Sequence, residues 1–411
     1  MAGTFLTSSR IQTNAAGSTA YRPVAMTAAS FSATEAVVQI PFRSAGTFNN
    51  YYTRISSNSV SATSTITLRK NGSNGNINVS LGAGATGDFF DTTNSDTITS
   101  GDLMSYGLVI GAGGTTISQI ASNIVFTGTG SYTQYQWASI ATSVASTTNY
   151  FPLGCNASTG IAESIAQVVF RDTGTLKNGF ASATANTRST ATTVTSRINA
   201  APGNISVSIT ASTTGVFEDT VNTDSITSGI AVNMATTTGT GAGNCIHSGG
   251  CAYVPGARFP SFGFLGTGNT TTTGTGAEYT CLGGTLFGNN SGSGPQFSGI
   301  PVMFSNLFAT ISANAGSSGS STAVSYIGGA VANQTATIGF GATGYFEDTT
   351  NNDMSYPHQK NAVRFNIGTN NVSVTQNAFG MHAMISGPDI KPFPPIYTTG
   401  NMRDLNAGMR M

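Results

Sequence analysis

Apolar and polar residues alternate with a period of two over much of this chain. Examples are STITLRK from Ser64, NINVSLG from Asn76, NISVSIT from Asn204 and ATIGFG from Ala336. Alternation of Ile, Val or Leu with Thr, Ser or Asn is typical of strands with one buried and one solvated face. KNGSNG lies between the first two of these examples, and NAAPGN leads into the third. Their Gly and Asn residues can adopt the positive φ that tight hairpin turns require. The pattern predicts short antiparallel strands joined by turns.

One segment occurs three times at a domain-sized interval. It reads TGDFFDTTNSDTITSG from Thr86, TGVFEDTVNTDSITSG from Thr214 and TGYFEDTTNND from Thr343, so the starts are 128 (214 − 86) and 129 (343 − 214) residues apart. Solenoid repeats have periods of about 20–50 residues, whereas this period is the size of a whole domain. The chain is therefore predicted to contain one domain-sized unit copied three times.

The predicted fold class is all-β, with three tandem antiparallel β-sandwich or jelly-roll domains and extended N- and C-terminal arms. Short strands separated by turns, in units of about 110 residues, are typical of these folds. The boundaries follow from where the repeat ends. They are an N-terminal arm at 1–20, jelly-roll domains at 21–131, 148–256 and 277–387, and a C-terminal extended tail at 388–411. A second linker, GTGNTTTTGTG, is predicted to be mobile.

Each part of the repeated segment has an expected structural role. A glycine permits a bend, an aromatic residue anchors in the core, and an Asp-Thr-x-Asn turn follows. In the third copy the continuation ITSGD is missing, which suggests a local difference in that unit. The glycines are Gly87, Gly215 and Gly344, and the aromatic residues are Phe89, Phe217 and Phe346.

Composition narrows the classes of function. Hydrophobic residues make up 39% of the chain, which is more than a disordered chain carries, but charged residues make up only 8% and the net charge is zero. No electrostatic footprint for nucleic acid or an anionic membrane exists, and near-zero net charge favours association. The N-terminus has no basic segment followed by a continuous apolar one, so no signal peptide is predicted and the product is expected to be made in the cytoplasm.

The repeated acidic pairs are the best candidates for a binding site. Oxygen ligands clustered on a loop are what calcium requires, and Glu218 and Glu347 add acids in the second and third units. The alternative is that the carboxylates cap the turn through hydrogen bonds to nearby backbone, and the spacing matches no dedicated calcium loop. The calcium candidates are Asp91, Asp96, Asp219, Asp224, Asp348 and Asp353. No cofactor is predicted.

The cysteines leave several alternatives open. Cys245 and Cys251 bracket a glycine-containing stretch, NCIHSGGC, that we interpret as a loop, and a disulfide could close it. Structural thiols and bridges between subunits are the other readings. His247 lies between the two cysteines, but one Cys pair and one His are too few ligands for a zinc site.

The first linker, TGTGSYTQYQWASI, lies between the first two predicted domains and carries an aromatic cluster of Tyr132, Tyr135 and Trp137. Such a cluster is expected to wedge one domain against the next or against a neighbouring chain. Tyr52, Phe180 and Phe308 recur at equivalent places and are predicted to be core positions. No nucleophile-and-base set or phosphate-binding motif is present, so no catalytic residue is predicted and the chain is not expected to be an enzyme.

The block from Ser64 to Ile110 resembles segments in structural proteins of tailed bacteriophages. The jelly roll of these proteins contains a strand that ends in Arg-Lys-Asn-Gly, then a turn, then a corner with the sequence Thr-Gly-x-Phe-x-Asp-Thr. The block is also broadly similar to the tumour necrosis factor and C1q jelly-roll class. The resemblance implies a virion protein, such as a fibre, collar or capsid decoration protein, and domains of this class commonly trimerise.

The expected function is therefore that of a non-enzymatic virion component. It is expected to form a symmetric oligomer with copies of itself, and a trimer is favoured. Its other expected partners are further virion proteins and a host surface glycan. Neither nucleic acid nor a membrane is expected as a partner. The first alternative is a secreted microbial adhesin or extracellular filament subunit. The second is a polysaccharide-degrading spike, because two acids can meet from distant strands.

Overall fold

The structure is a computed structural model. It describes residues 4–24, 26–27, 32–129, 134–142, 147–153, 162–171, 173–256, 264–273, 277–281, 296–297, 301–316, 318–356, 359–368 and 373–385. Within these residues, no helix has the length and apolar character needed to cross a membrane.

The described strands form three β-sandwiches in series, here called sandwiches 1, 2 and 3. Sandwich 1 contains β1 (Thr4–Ala15), β2 (Thr19–Pro23), β3 (Met26–Thr27), a 3-10 turn (Glu35–Val37), β4 (Ile40–Pro41), β5 (Gly46–Asn58), β6 (Ser64–Lys70), β7 (Ser73–Leu81), β8 (Gly87–Asp91), β9 (Asp96–Ile98), β10 (Leu103–Val109) and β11 (Thr116–Gly128).

Sandwiches 2 and 3 repeat this series. Sandwich 2 contains β12 (Gln134–Thr142), β13 (Thr148–Phe151), the helical turn α1 (Glu163–Ala166), β14 (Val168–Val169), β15 (Gly174–Asn186), β16 (Thr192–Ile198), β17 (Ala201–Ile209), β18 (Gly215–Ile226), β19 (Ala231–Thr237) and β20 (Cys245–Pro255). Sandwich 3 contains β21 (Phe264–Thr273), β22 (Ala277–Cys281), β23 (Gln296–Phe297), β24 (Val302–Asn314), β25 (Ser321–Ile327), β26 (Ala330–Ile338), β27 (Gly344–Ser355), β28 (Lys360–Asn366) and β29 (Ser373–Ile385).

The strand order in each sandwich is that of a jelly roll. In sandwich 2 the first sheet has the order β12-β20-β15-β18 and the second sheet β13-β19-β16-β17, with the short β14 paired to β19. Numbering the main strands from one to eight, these orders are 1-8-3-6 and 2-7-4-5, which is the pairing of two antiparallel Greek keys. Sandwiches 1 and 3 share this order, with β8 and β9 together forming strand six of sandwich 1. The predicted all-β jelly-roll class is confirmed.

The first strand of each sandwich lies in a segment interpreted above as an arm or a linker. β1 pairs with β11 from Thr4 opposite Phe126 to Ala15 opposite Thr116, so residues 4–15 belong to sandwich 1 rather than to a free arm. β12 and β21 likewise pair with β20 and β29. Ladder pairing uses backbone groups, which the threonine-rich linker supplies as well as any other sequence. The predicted tail at 388–411 lies outside the described residues.

The alternation of apolar and polar residues gives the same burial pattern in all three units. On β17, the side chains of Ile205, Val207 and Ile209 are buried and those between them are exposed. β7 and β26 repeat this pattern position by position. The repeated segment also behaves as predicted, because Gly215 has a φ of 117° and Phe217 packs partly buried against the core. β27 is as long as β18 although ITSGD is missing there.

The hairpins between β6 and β7 and between the equivalent strands have the predicted left-handed turn residues. Asn71 and Gly72 have φ of 51° and 80°, and Gly328 and Gly329 have 63° and 90°. In sandwich 2 the second turn position is an alanine, Ala200, with φ of 63°. An L-residue with a Cβ is strained in this region, whereas glycine is not.

We therefore expect Ala200→Gly to stabilise sandwich 2 by about 0.5–1 kcal/mol, since relief of the strain exceeds the added chain entropy of glycine. Gly72→Ala is the matched control and should destabilise sandwich 1, because no heavy atom lies closer than 3.9 Å to its added Cβ and only backbone strain is introduced. Thermal unfolding of both variants measures the effects. A lower midpoint for Ala200→Gly would contradict the assignment of strain to this turn.

Candidate functional site

The three aspartate pairs lie where the two sheets of each sandwich meet along one side. Each pair is on strand six, at the edge of the first sheet, opposite strand five, at the edge of the second sheet. All six side chains are buried, with exposed fractions between 4% and 8%. Buried carboxylates need hydrogen-bond donors, so their partners determine what these residues do.

The first aspartate of each pair connects its own turn to strand five. Asp219 accepts the backbone N–H of Ser206 on β17 at 2.9 Å, and its other oxygen accepts the N–H groups of Val221 and Asn222 at 3.2 and 3.0 Å. The side-chain amide of Asn222 also donates to this carboxylate at 2.9 Å. The equivalent sets are Asp91 with Asn78, Thr93 and Asn94, and Asp348 with Thr335, Thr350 and Asn351.

The second aspartate of each pair caps two successive backbone amides of strand five. Asp96 accepts the N–H groups of Asn76 and Ile77 at 2.7 and 3.0 Å. Asp353 accepts those of Asn333 and Gln334 at 2.8 and 3.1 Å. In sandwich 2 the equivalent is Asp224 with Asn204 and Ile205.

Together the two carboxylates act as a bridge, here called the aspartate brace, between the edges of the two sheets. An edge strand exposes unpaired N–H groups that can pair with a strand from another chain. The brace occupies these groups on β7, β17 and β26 and ties each second sheet to its first sheet. Its role is therefore to close one side of the sandwich and to block pairing at that edge.

This geometry favours turn capping over the calcium prediction. Calcium requires six to eight oxygen ligands, but the brace oxygens are surrounded by N–H groups whose positive ends point at them. Among the described residues, no group of three or more His, Cys, Asp or Glu side chains is placed to hold a metal ion. Glu218 and Glu347 are not part of the brace, since they pair with arginines of the preceding sandwich.

The brace also sets the ionisation of its carboxylates. Burial by itself raises the pKa of Asp219, but the hydrogen bonds from Ser206, Asn222 and Val221 outweigh it, and the net pKa lies below the usual value. The same balance lowers the pKa of Asp91, Asp348 and Asp353. These four carboxylates are therefore charged at neutral pH, and their stabilising contribution is lost as pH falls below about 4.

Of the alternatives for Cys245 and Cys251, the geometry fits structural thiols and does not fit a disulfide between them. Both residues lie on the single strand β20 and both are buried thiols. Six residues along a strand span about 20 Å, whereas a disulfide requires Cα atoms within about 7 Å. The stretch NCIHSGGC was interpreted as a loop because of its glycines. Gly249 is instead a strand residue at which an added Cβ would lie 3.2 Å from the Phe180 carbonyl oxygen.

We expect both thiols to resist alkylation in the native chain. Burial raises the pKa of Cys251 far above its usual value and raises that of Cys245, so neither forms a thiolate readily. Iodoacetamide labelling at pH 8 followed by peptide mapping should show these two sites modified only after denaturation. Rapid labelling of the native chain, or a peptide pair linked by a disulfide, would contradict the buried β20.

His247 is buried beside these thiols. One ring nitrogen, Nε2, lies 3.0 Å from the Thr236 hydroxyl, and Nδ1 lies 3.8 Å from the Cys245 sulfur. Burial lowers the pKa of His247 to about 4. Gln119 occupies the equivalent position of sandwich 1 (119 + 128 = 247) and is also buried, so this position holds a neutral polar side chain in both units.

His247 should make the free energy of unfolding depend on pH at values above 4, where the four brace carboxylates of lowered pKa stay charged. Its folded pKa lies below the unfolded value of about 6.5, so its contribution is complete above pH 6.5 and falls by about 3 kcal/mol as pH drops to 4. The variant His247→Gln copies sandwich 1 and should remove this part of the dependence while leaving the loss below pH 4. Thermal unfolding from pH 8 to pH 3 measures both. Identical pH profiles for the two proteins would contradict a buried, neutral His247.

A polar network is also buried inside sandwich 1. Arg22 donates to the side-chain oxygen of Gln119, whose amide donates to the hydroxyls of Thr53 at 2.6 Å and Ser122 at 2.8 Å. The Tyr51 hydroxyl lies 3.0 Å from that of Ser122. Burial lowers the pKa of Arg22 and raises that of Tyr51. These groups bind one another between the sheets, which indicates a structural role.

The predicted aromatic interface falls partly outside the described residues. Tyr132 lies outside the described residues. Tyr135 and Trp137 lie on β12, opposite Ala252 and Gly250 of β20, and their side chains are outside the described part of the structure. The backbone nevertheless assigns them to the first sheet of sandwich 2 rather than to a linker.

A contact that sequence analysis missed joins successive sandwiches in the same way twice. Arg43 of sandwich 1 donates to both carboxylate oxygens of Glu218 of sandwich 2, with Nε to Oε1 at 2.9 Å. Arg171 of sandwich 2 donates to Glu347 of sandwich 3. Partly exposed ion pairs contribute about 0–1 kcal/mol each, but the two-pronged Arg43 pair fixes orientation.

Each arginine ends a short segment, here called the docking segment, that lies on the next sandwich. The docking segments are residues 35–43 and 163–171. Glu163 in the second accepts two hydrogen bonds from Arg197, at 2.7 and 2.9 Å, and Glu35 in the first accepts two from Arg69 at 2.8 Å. The 3-10 turn then contacts β15 and β18, and α1 contacts β24, β27 and β29.

A buried aromatic side chain lies in each of the two contacts. Phe180 is 1% exposed and belongs to the buried apolar cluster of sandwich 1, and Phe308 belongs to that of sandwich 2. On β15 the residues Phe180 to Ala183 are all buried, so both faces of this strand are covered. Phe180 and Phe308 are therefore buried as predicted, but on the outer face of their own sheet. The sequence does contain a signal for these contacts. The arginine recurs only in units one and two and the glutamate only in units two and three, as expected if each arginine pairs with a glutamate of the next unit.

Comparisons with known proteins add little to this description. No protein-family model matches the chain, and no curated protein matches it. A solved structure described as "The Triple Jelly Roll Fold and Turret Assembly in an Archaeal Virus" is 13% identical, with 93% of this chain and 91% of that chain covered and a TM-score of 0.19. A likeness this low carries no argument. The chain is therefore identified by its own strand order, as three jelly-roll sandwiches docked in series.

Proposed function

We propose that the chain is a non-enzymatic structural component of a virus particle. The observation that carries the proposal is the repeated docking of three complete jelly rolls through one contact, with Arg43–Glu218 and Arg171–Glu347 at equivalent places. Serial copying of a whole domain with its interface lengthens a scaffold or multiplies its contacts.

The chemistry of the described residues supports a scaffold. The brace carboxylates, the Arg22 network and His247 are each buried and hydrogen-bonded within one sandwich. Titratable groups poised for catalysis or ligand binding commonly line an accessible cleft instead. The use of the polar groups for internal support is what a structural subunit requires.

The finer proposal is a fibre, collar or capsid decoration protein of a tailed phage, as the resemblance of the Ser64–Ile110 block implies. Its partners are copies of itself and other proteins of the particle, with a host surface glycan as a further contact. The low charge of the chain, 8% with a net charge of zero, suits association with neighbouring protein surfaces.

Mass spectrometry of density-gradient-purified particles, from cells that express the chain from its native genome, tests the proposal. The chain should sediment with the most abundant coat protein at a fixed ratio that survives a second gradient. Few copies per particle would indicate a tail or neck position, and hundreds would indicate decoration. Recovery only in particle-free culture fluid would contradict the proposal and favour the secreted adhesin. Release of reducing sugar from a host glycan would favour the spike enzyme.

A further inference from the structure

The two docking contacts repeat one geometric step. In each, the docking segment of one sandwich lies on the outer face of the first sheet of the next. Units related by the same head-to-tail step form either an open series or a closed ring. The open alternative leaves the outer face of sandwich 1 and the end of sandwich 3 without a sandwich against them, whereas the ring brings the two together.

The outer face of sandwich 1 carries an aromatic pair, of which Tyr52 is buried and Phe90 is 37% exposed. Tyr52 occupies the place of the interface aromatics Phe180 (52 + 128) and Phe308 (180 + 128) and is only 1% exposed. Phe90 occupies the place of Glu218 (90 + 128), and its ring centroid lies 5.2 Å from that of Tyr52. An aromatic pair at these positions suits an apolar contact better than a surface left in water.

One pair of strands brings the third sandwich into contact with the first. β29 of sandwich 3 contacts β1 of sandwich 1. Both strands belong to the first sheets of their sandwiches, the sheets whose outer faces form the other two contacts. An extended row would hold these strands a whole sandwich apart.

The charges change together at the two ends of the series. Unit one has Phe90 where units two and three have Glu218 and Glu347, and unit three has no charged residue between Cys281 and Pro301, the interval that contains the place of Arg171 (171 + 128 = 299). Loss of the acid alone, or of the base alone, would leave an unpaired charge in a contact, which is costly to bury. Loss of both removes the ion pair between sandwiches from the third contact, where Arg54 and Asp88 beside Tyr52 pair with each other within sandwich 1.

We propose that sandwich 3 covers the outer face of sandwich 1, so that the three sandwiches close into a ring about a pseudo-threefold axis within one chain. The trimer expected from sequence is then supplied by a single polypeptide, and its binding partners meet three similar but non-identical domains. The proposal does not depend on the function proposed above, since a ring would form in an adhesin as well as in a virion protein.

Small-angle X-ray scattering with in-line light scattering on the purified full chain tests the ring. A closed triangle of three sandwiches should have a radius of gyration of about 22 Å, and an open row about 28 Å, from the size of compact domains. The ring predicts the smaller value at the mass of one chain, 41.8 kDa. The larger value at that mass would overturn it.

The variant Phe90→Asp locates the contact. It places a charge beside Asp88 on the proposed contact face and should raise the radius of gyration of the single chain towards the open value. Val109→Asp is the control, because Val109 is 54% exposed on the second sheet of the same sandwich. Circular dichroism checks that both remain folded. A wild-type mass of two or more chains that falls to one chain in Phe90→Asp would show that a second copy covers this face, and would overturn the intramolecular ring.

Discussion

Replacing Asp353 with alanine is expected to destabilise sandwich 3 by about 3–5 kcal/mol, because several buried donors lose their acceptor at once. The carboxylate accepts the backbone N–H groups of Asn333 and Gln334, the side-chain amide of Gln334 at 3.1 Å and the Ser325 hydroxyl. It is 4% exposed, so water cannot readily replace it. Chemical denaturation of the full chain should show one transition at lower denaturant.

Two further variants separate the brace from a general effect of mutation. Asp353→Asn keeps the shape but turns an NH₂ group towards an N–H donor, so it should recover little of the lost stability. Asn352→Ala changes the adjacent exposed residue and should alter stability by less than about 0.5 kcal/mol. If Asp353→Asn were as stable as wild type, the carboxylate would not be the acceptor that the hydrogen bonds indicate.

The substitution Phe180→Asp is expected to separate sandwich 1 from sandwich 2 while both stay folded. Phe180 is 1% exposed and contributes to the cluster of sandwich 1, and removal of a buried Phe side chain costs about 3–5 kcal/mol before the charge is counted. It lies on the outer face of its sheet, so the core of sandwich 2 keeps Ala181 and Ala183. Far-ultraviolet circular dichroism should therefore change little.

Differential scanning calorimetry measures this separation. The docked sandwiches should unfold together in the wild type, and Phe180→Asp should split the transition and make the linkers more sensitive to protease. Thr184→Asp is the matched control, because Thr184 is exposed and lies four residues further along the same strand. Equal calorimetric profiles for the two variants would show that Phe180 does not hold the sandwiches together.

Much of the fold follows from the sequence because the signals are local. The period-two alternation of NISVSIT gives β17, and the Asn-Gly pair at 71–72 gives the hairpin turn between β6 and β7. β21 was missed because its sequence, FLGTGNTTTT, is rich in glycine and threonine and carries no apolar alternation. β12, QYQWASIAT, does alternate, but it was assigned to a linker because it lies beyond the end of the repeat. Their pairing with β20 and β29 depends on partners a hundred or more residues away in the chain.

The candidate site was predicted less completely, for a similar reason. The capping of Val221 and Asn222 by Asp219 is local and was anticipated as the alternative to calcium. The amide of Ser206, 13 residues earlier, becomes a partner only when the edges of two sheets meet. The Arg43–Glu218 pair joins residues 175 apart, and only the stagger of Arg and Glu between copies indicates it.

Calcium titration of the intact chain tests the aspartate brace most directly. Because every brace oxygen faces N–H donors, calcium should find no free ligand there. We therefore expect that, at pH 7, replacing a chelator with millimolar calcium leaves the thermal unfolding midpoint of the wild type unchanged, and leaves the lower midpoint of Asp353→Ala unchanged as well. A midpoint that rises with calcium in the wild type, and does not rise in Asp353→Ala, would contradict the brace and restore the repeated segment as a metal site.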